Sequence, residues 1–110
     1  MLALQVVPRS GKDAYQLLRK KVIHEARTWY WKNKRKTRLM HSNKRAGYVE
    51  VGSADGILVA EIHAATVNEV YFFAEKFIGR LVAWFESDLA AINIQFRDAV
   101  VPRRGRRKKK

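Results

Sequence analysis

The chain has 110 residues, 23 of them Lys or Arg and ten Asp or Glu, for a net charge of +13. Its length suits one domain, and a hydrophobic content of 47% supplies one core, which excludes a wholly disordered chain. The absence of cysteine excludes disulfides, thiol nucleophiles and Cys-based zinc sites, and fits a reducing compartment.

In chain order, the apolar run Leu2-Ala3-Leu4-Gln5-Val6-Val7 predicts a strand that stops at Pro8. Leu4 and Val6 face one way and Gln5 the other. No basic region precedes this run, so it does not read as a secretory signal. No stretch of about 20 uncharged apolar residues is present to span a membrane. Ser10 then stands where a helix N-cap belongs, with Asp13 three residues on. Ala14, Tyr15, Leu18, Val22, Ala26, Trp29 and Tyr30 recur at spacings of three and four, which predicts a helix from residue 11 into the mid-thirties. Lys12, Arg19, Lys20, Arg27 and Lys34 occupy another face. Beyond Trp31 the chain is almost wholly basic and polar as far as Arg45. Like charges at short helical spacing repel, so this end is expected to fray without a bound anion.

Residues 47–52 and 57–63 read as a hairpin around Ser53-Ala54-Asp55-Gly56, because Asp and Gly accept positive φ. A turn there sets Gly52 opposite Ile57, Val51 opposite Leu58 and Val49 opposite Ala60. Val49, Val51, Leu58, Ala60 and Ile62 then face the core, while Tyr48, Glu50, Val59, Glu61 and His63 share the other face. Thr66-Val67-Asn68-Glu69 matches a capping box and opens a second helix to about Glu86. Val70, Phe73, Ala74, Phe77, Leu81 and Trp84 form its main apolar stripe. Tyr71, Ile78, Val82 and Phe85 form a second stripe, wider than one sheet needs, and are the candidate protein interface. Residues 91–96 alternate and predict a last strand with Ile92, Ile94 and Phe96 facing the core.

The order β-α-β-β-α-β predicts an α+β, ferredoxin-like sandwich: a four-stranded antiparallel sheet with two helices on one face. One domain is expected over residues 1–102, including a long basic helix and loop at 11–46. A basic, disordered tail follows at 103–110.

The charge is not spread evenly. Residues 1–47 carry thirteen basic and two acidic side chains, residues 48–102 three basic and eight acidic, and residues 103–110 seven basic ones. A basic segment and a basic tail thus flank an acidic stretch, which points to a polyanionic partner. Lys and Arg neutralise phosphates, and aromatic rings stack on unpaired bases. The candidate nucleic-acid contacts are Arg27, Trp31, Lys32, Lys34, Arg35, Lys36, Arg38, His41, Lys44 and Arg45. The tail adds Arg103, Arg104, Arg106, Arg107, Lys108, Lys109 and Lys110. Trp29 is assigned to the core, and Trp31 is balanced between core and nucleic acid.

The function expected is a non-enzymatic nucleic-acid-binding protein, with RNA favoured over DNA. It would serve in a ribonucleoprotein, ribosomal or RNA-processing, and recognise phosphate and shape. A cytoplasmic setting is expected, with nuclear or nucleoid association as the alternative. No metal, cofactor, membrane or small-molecule substrate is expected. The RNA recognition motif uses the same element order and stacks bases on its central strands. Around Tyr48, however, Arg45-Ala46-Gly47-Tyr48-Val49-Glu50-Val51 departs from that signature, and Glu50 and Glu61 would repel phosphate, so no family is assigned. The basic helix and loop are the preferred surface. A second reading is an assembly or adaptor subunit, homodimeric or bound to another protein through the second helix or a sheet edge. A third is a small metal-dependent nuclease using Glu50, Glu61 and His63, although His24, His41 and His63 show no metal-ligand spacing.

Overall fold

The computed structural model describes residues 2–42 and 47–96. The expectations for Lys44, Arg45 and the tail at 103–110 lie outside the described residues. The elements are β1 (Leu2–Pro8), α1 (Ala14–His24), β2 (Trp29–Trp31), β3 (Arg38–His41), β4 (Tyr48–Ala54), β5 (Ile57–His63), α2 (Val67–Phe85) and β6 (Leu89–Phe96). All six strands join one antiparallel sheet in the order β2-β3-β4-β5-β1-β6. The fold is therefore α+β, but the sheet has six strands where four were expected. Among the described residues no helix is long and apolar enough to cross a membrane.

The two additional strands come from the segment expected to continue the first helix. α1 ends at His24, and the backbone N–H of Glu25 still donates to the Lys21 carbonyl. Trp29, Tyr30 and Trp31 are aromatic types that suit a pleated surface, and they pair with β3 instead. Trp29 is buried and Tyr30 is 47% exposed, an alternation of period two. The assignment of Tyr30 to a buried helical stripe is thus corrected, whereas Trp29 is core. The N-cap also shifts. Asp13, not Ser10, caps α1, its carboxylate accepting from Gln16 N–H at 3.0 Å.

The β4–β5 hairpin forms with a tighter turn than expected. Asp55 and Gly56 both have positive φ, 52° and 84°, and Ala54 pairs with Ile57. Two central residues of this kind give a turn whose twist matches the strands. The register moves by two residues, so the sidedness of every residue holds: Val49 faces Ile62, and Val51 faces Ala60.

Thr66 caps α2, its hydroxyl accepting from Glu69 N–H at 3.1 Å. The helix buries Phe73, Phe77, Leu81 and Phe85. These join Ala14, Leu18 and Val22 of α1 and the inward residues of the sheet in one cluster, so both helices share one face. Phe85, expected in the second stripe, is a core residue, because its position continues the run of buried residues every fourth place. Tyr71 and Val82 stay exposed, and Ile78 is partly buried.

α2 leans toward the β2 edge. Phe73 and Phe77 sit 6.1 and 5.7 Å from the Trp29 ring, and Phe72 is 5.1 Å from His41. The opposite edge is left thinly covered. Ile94 and Phe96 lie on the core side by register, opposite Leu4 and Leu2, yet are 43% and 86% exposed.

Candidate nucleic-acid interface

The basic segment after Trp31 is an ordered hairpin connection, not a frayed helix end. Asn33 organises it. Its Oδ1 accepts from the Thr37 and Arg38 N–H groups at 3.1 Å each, and its Nδ2 donates to Thr37 Oγ1 at 2.7 Å. Lys32 N–H donates to the Arg38 carbonyl at 2.8 Å, closing the neck of the hairpin. Asn is suited to this work because its short amide reaches nearby backbone groups. Lys36 takes the left-handed conformation, with φ of 59°. Its carbonyl accepts from Tyr15 Oη at 2.8 Å, which fastens the tip to α1. At the base, Trp31 Nε1 donates to the Arg19 carbonyl at 3.5 Å.

This framework carries the cations. Lys32, Lys34, Arg35 and Arg38 are exposed, Lys36 is half-buried, and Arg27 is exposed in the connection between α1 and β2. These six cations, of the ten positions predicted between residues 27 and 45, thus lie on β3, the hairpin tip or the connection into β2, all at one edge of the sheet. Trp31 is half-buried and packs against the core.

His41 does not belong with them. It is only 9% exposed and meets Trp29 and Phe72 edge-on, at 4.9 and 5.1 Å. Strand alternation turns Leu39 and His41 inward on β3, so the expected phosphate contact is corrected to a core position.

The sheet face opposite the helices carries a second group. The Arg38 guanidinium carbon lies 4.2 Å from the Tyr48 ring centroid, within cation–π range, and Arg38 Nε is 3.3 Å from Glu50 Oε1. Tyr48 stacks on His63 at 5.0 Å with 18° between planes. His63 Nε2 is 3.4 Å from Glu61 Oε1. Glu50 and Glu61 are directly opposite in register, not diagonal as expected. Among the described residues no group of three His, Cys, Asp or Glu side chains could hold a metal ion.

The chain matches no family model, no curated protein and no solved structure. Function must therefore be argued from the chemistry of these two surfaces. Sequence reasoning missed Asn33 and Tyr15, which carry no charge but shape the tip. An Asn within a run of cations was the available signal for a turn. It also missed Tyr30, whose exposure follows from the strand that replaced the helix.

Proposed function

We propose that this chain is a non-enzymatic nucleic-acid-binding protein, with RNA favoured over DNA, that grips phosphates through the β2–β3 hairpin. The observation that carries this reading is the ordered tip, which holds Lys32, Lys34 and Arg35 exposed on a backbone fixed by Asn33 and Tyr15. Cations on a fixed backbone lose less freedom on binding than cations on a floppy loop. Arg27 adds to the same edge, and Lys44, Arg45 and the basic tail add charge in the sequence. The acidic balance of residues 48–102 leaves the hairpin among the most basic parts of the chain. A ribonucleoprotein is the proposed setting, because packed phosphate backbones reward a narrow, highly basic element.

We also read β1-α1-β4-β5-α2-β6 as a ferredoxin-like unit. Its four strands stand in the order β4-β5-β1-β6, and each helix links strands separated by one other. The β2–β3 hairpin is then an insertion that extends the sheet and delivers the charge.

The test is fluorescence anisotropy of a labelled single-stranded RNA as salt is raised. Affinity should fall steeply, linear in log–log form, between about 50 and 200 mM. The double substitution Lys34→Ala with Arg35→Ala should lower the slope by about 1.4, since each neutralised phosphate on a single strand contributes roughly 0.7. An affinity insensitive to salt would overturn the proposal.

The assembly-subunit reading is supported by a separate observation. Val67, Tyr71 and Val82 on one flank of α2, and Ile94 and Phe96 on β6, are large apolar side chains left exposed.

A further inference from the structure

We infer that the open sheet face near the β2 edge is a stacking platform for unpaired nucleic-acid bases. This rests on the nucleic-acid-binding reading above and adds which part of the ligand is recognised. Tyr30 pairs with Met40 across β2 and β3, and Tyr48 pairs with His63 across β4 and β5. Because Leu39 faces Val49, Met40 and Tyr48 are neighbours as well. Tyr30, Met40, Tyr48 and His63 therefore form one continuous row across four strands, on the face turned away from the helices. At about 4.8 Å per strand the row spans about 14 Å. None of the four is buried, and Tyr30 is the most open.

The row is made of planar or polarisable groups and contains no Lys, Arg, Asp or Glu. Arg38, in the adjoining row, extends it by laying its guanidinium over Tyr48, held there by Glu50. Guanidinium planes and aromatic rings both stack on unpaired bases. A duplex keeps its base faces stacked internally and offers this row nothing. The charges beside the row set the direction of the strand. Lys32 and Arg38 stand toward the β2 edge, while Glu50 and Glu61 stand toward the middle of the sheet. Phosphates would follow the hairpin edge, with the bases turned inward over Tyr30 and the Arg38–Tyr48 pair. The carboxylates that count against this face in the sequence are one row away from the rings, and Glu50 is ion-paired to Arg38.

The experiment compares the full chain's binding to a short oligoadenylate and to a blunt RNA duplex of equal length. Tyr30→Leu combined with Tyr48→Leu should weaken single-strand binding by about tenfold or more, from the loss of base–aromatic stacking. Duplex binding and the salt slope should stay unchanged, because no cation is removed. Tyr30→Phe with Tyr48→Phe should bind like the parent, since stacking needs the ring and not the hydroxyl. Tyr30→Leu alone, on an exposed edge position, keeps the test usable if the double variant does not fold. It should give the same selective loss at smaller size. If the Leu variants bind both ligands as the parent does, or lose both equally, the platform is refuted while phosphate binding stands. If the parent binds neither ligand, both proposals fall.

Discussion

Trp29, Tyr30 and Trp31 are adjacent, chemically similar residues with three different fates. Trp29 sits in the core against Phe73 and Phe77, Tyr30 faces solvent, and Trp31 is half-buried with its indole N–H on the Arg19 carbonyl. Residue type did not separate them; backbone period did. His41 shows the same control, since a histidine among cations becomes a core residue once its strand turns it inward. Gly47 is a residue whose size is the constraint. A Cβ there would meet the His63 carbonyl oxygen at 2.5 Å and Phe73 Cε2 at 2.8 Å. His63 is paired with Tyr48 in the β4–β5 ladder, which restrains that carbonyl from retreating. Gly47→Ala should cost about 1–3 kcal/mol, as overpacking does. Chemical denaturation should show a lower midpoint at unchanged slope. An unchanged midpoint would mean that the backbone entering β4 is not held this closely.

At the scale of elements, α2 was legible and the β2–β3 hairpin was not. α2 has 19 residues, a Thr cap and apolar positions every three or four residues, so chance matches are swamped. β2 has three residues, too few to show a period of two, and Ala26, Trp29 and Tyr30 happen to continue the helical spacing of α1. The hairpin exists because Asn33 closes its turn and β4 offers β3 an edge, neither of which is a periodic signal. Asn33→Ala should therefore speed hydrogen exchange at the Thr37 and Arg38 amides and lower RNA affinity, although no charge is removed. The loss of these bonds should cost the tip about 1–2 kcal/mol. Exchange and affinity both matching the parent would show that the tip does not depend on Asn33.

Across the whole molecule, the strand order puts the cationic hairpin at one edge of the sheet and β6 at the other. β6, Leu89–Phe96, contains no Lys, Arg, Asp, Glu or Pro, the usual protections of a free edge. A twofold pairing of β6 with β6 of a second copy would be self-complementary and would keep the two basic hairpins at opposite ends. Under the assembly-subunit reading, light scattering should show dimers at tens of micromolar, and Phe96→Lys should return them to monomers. A parent chain that stays monomeric throughout would remove that reading.

Read alone, the sequence settles the α+β class, the strand at each end, the β4–β5 hairpin with its sidedness, the long second helix and the segregation of charge. Each depends on local chemistry: a cap, a turn dipeptide, an apolar period or a count of side chains. Strand number, the fate of each aromatic and the row from Tyr30 to His63 depend on which strand lies beside which. A short edge strand gains its hydrogen bonds from a neighbour distant in the chain, so its own residues carry little trace of it. The cations were visible from composition; the surface that presents them was created by pairing.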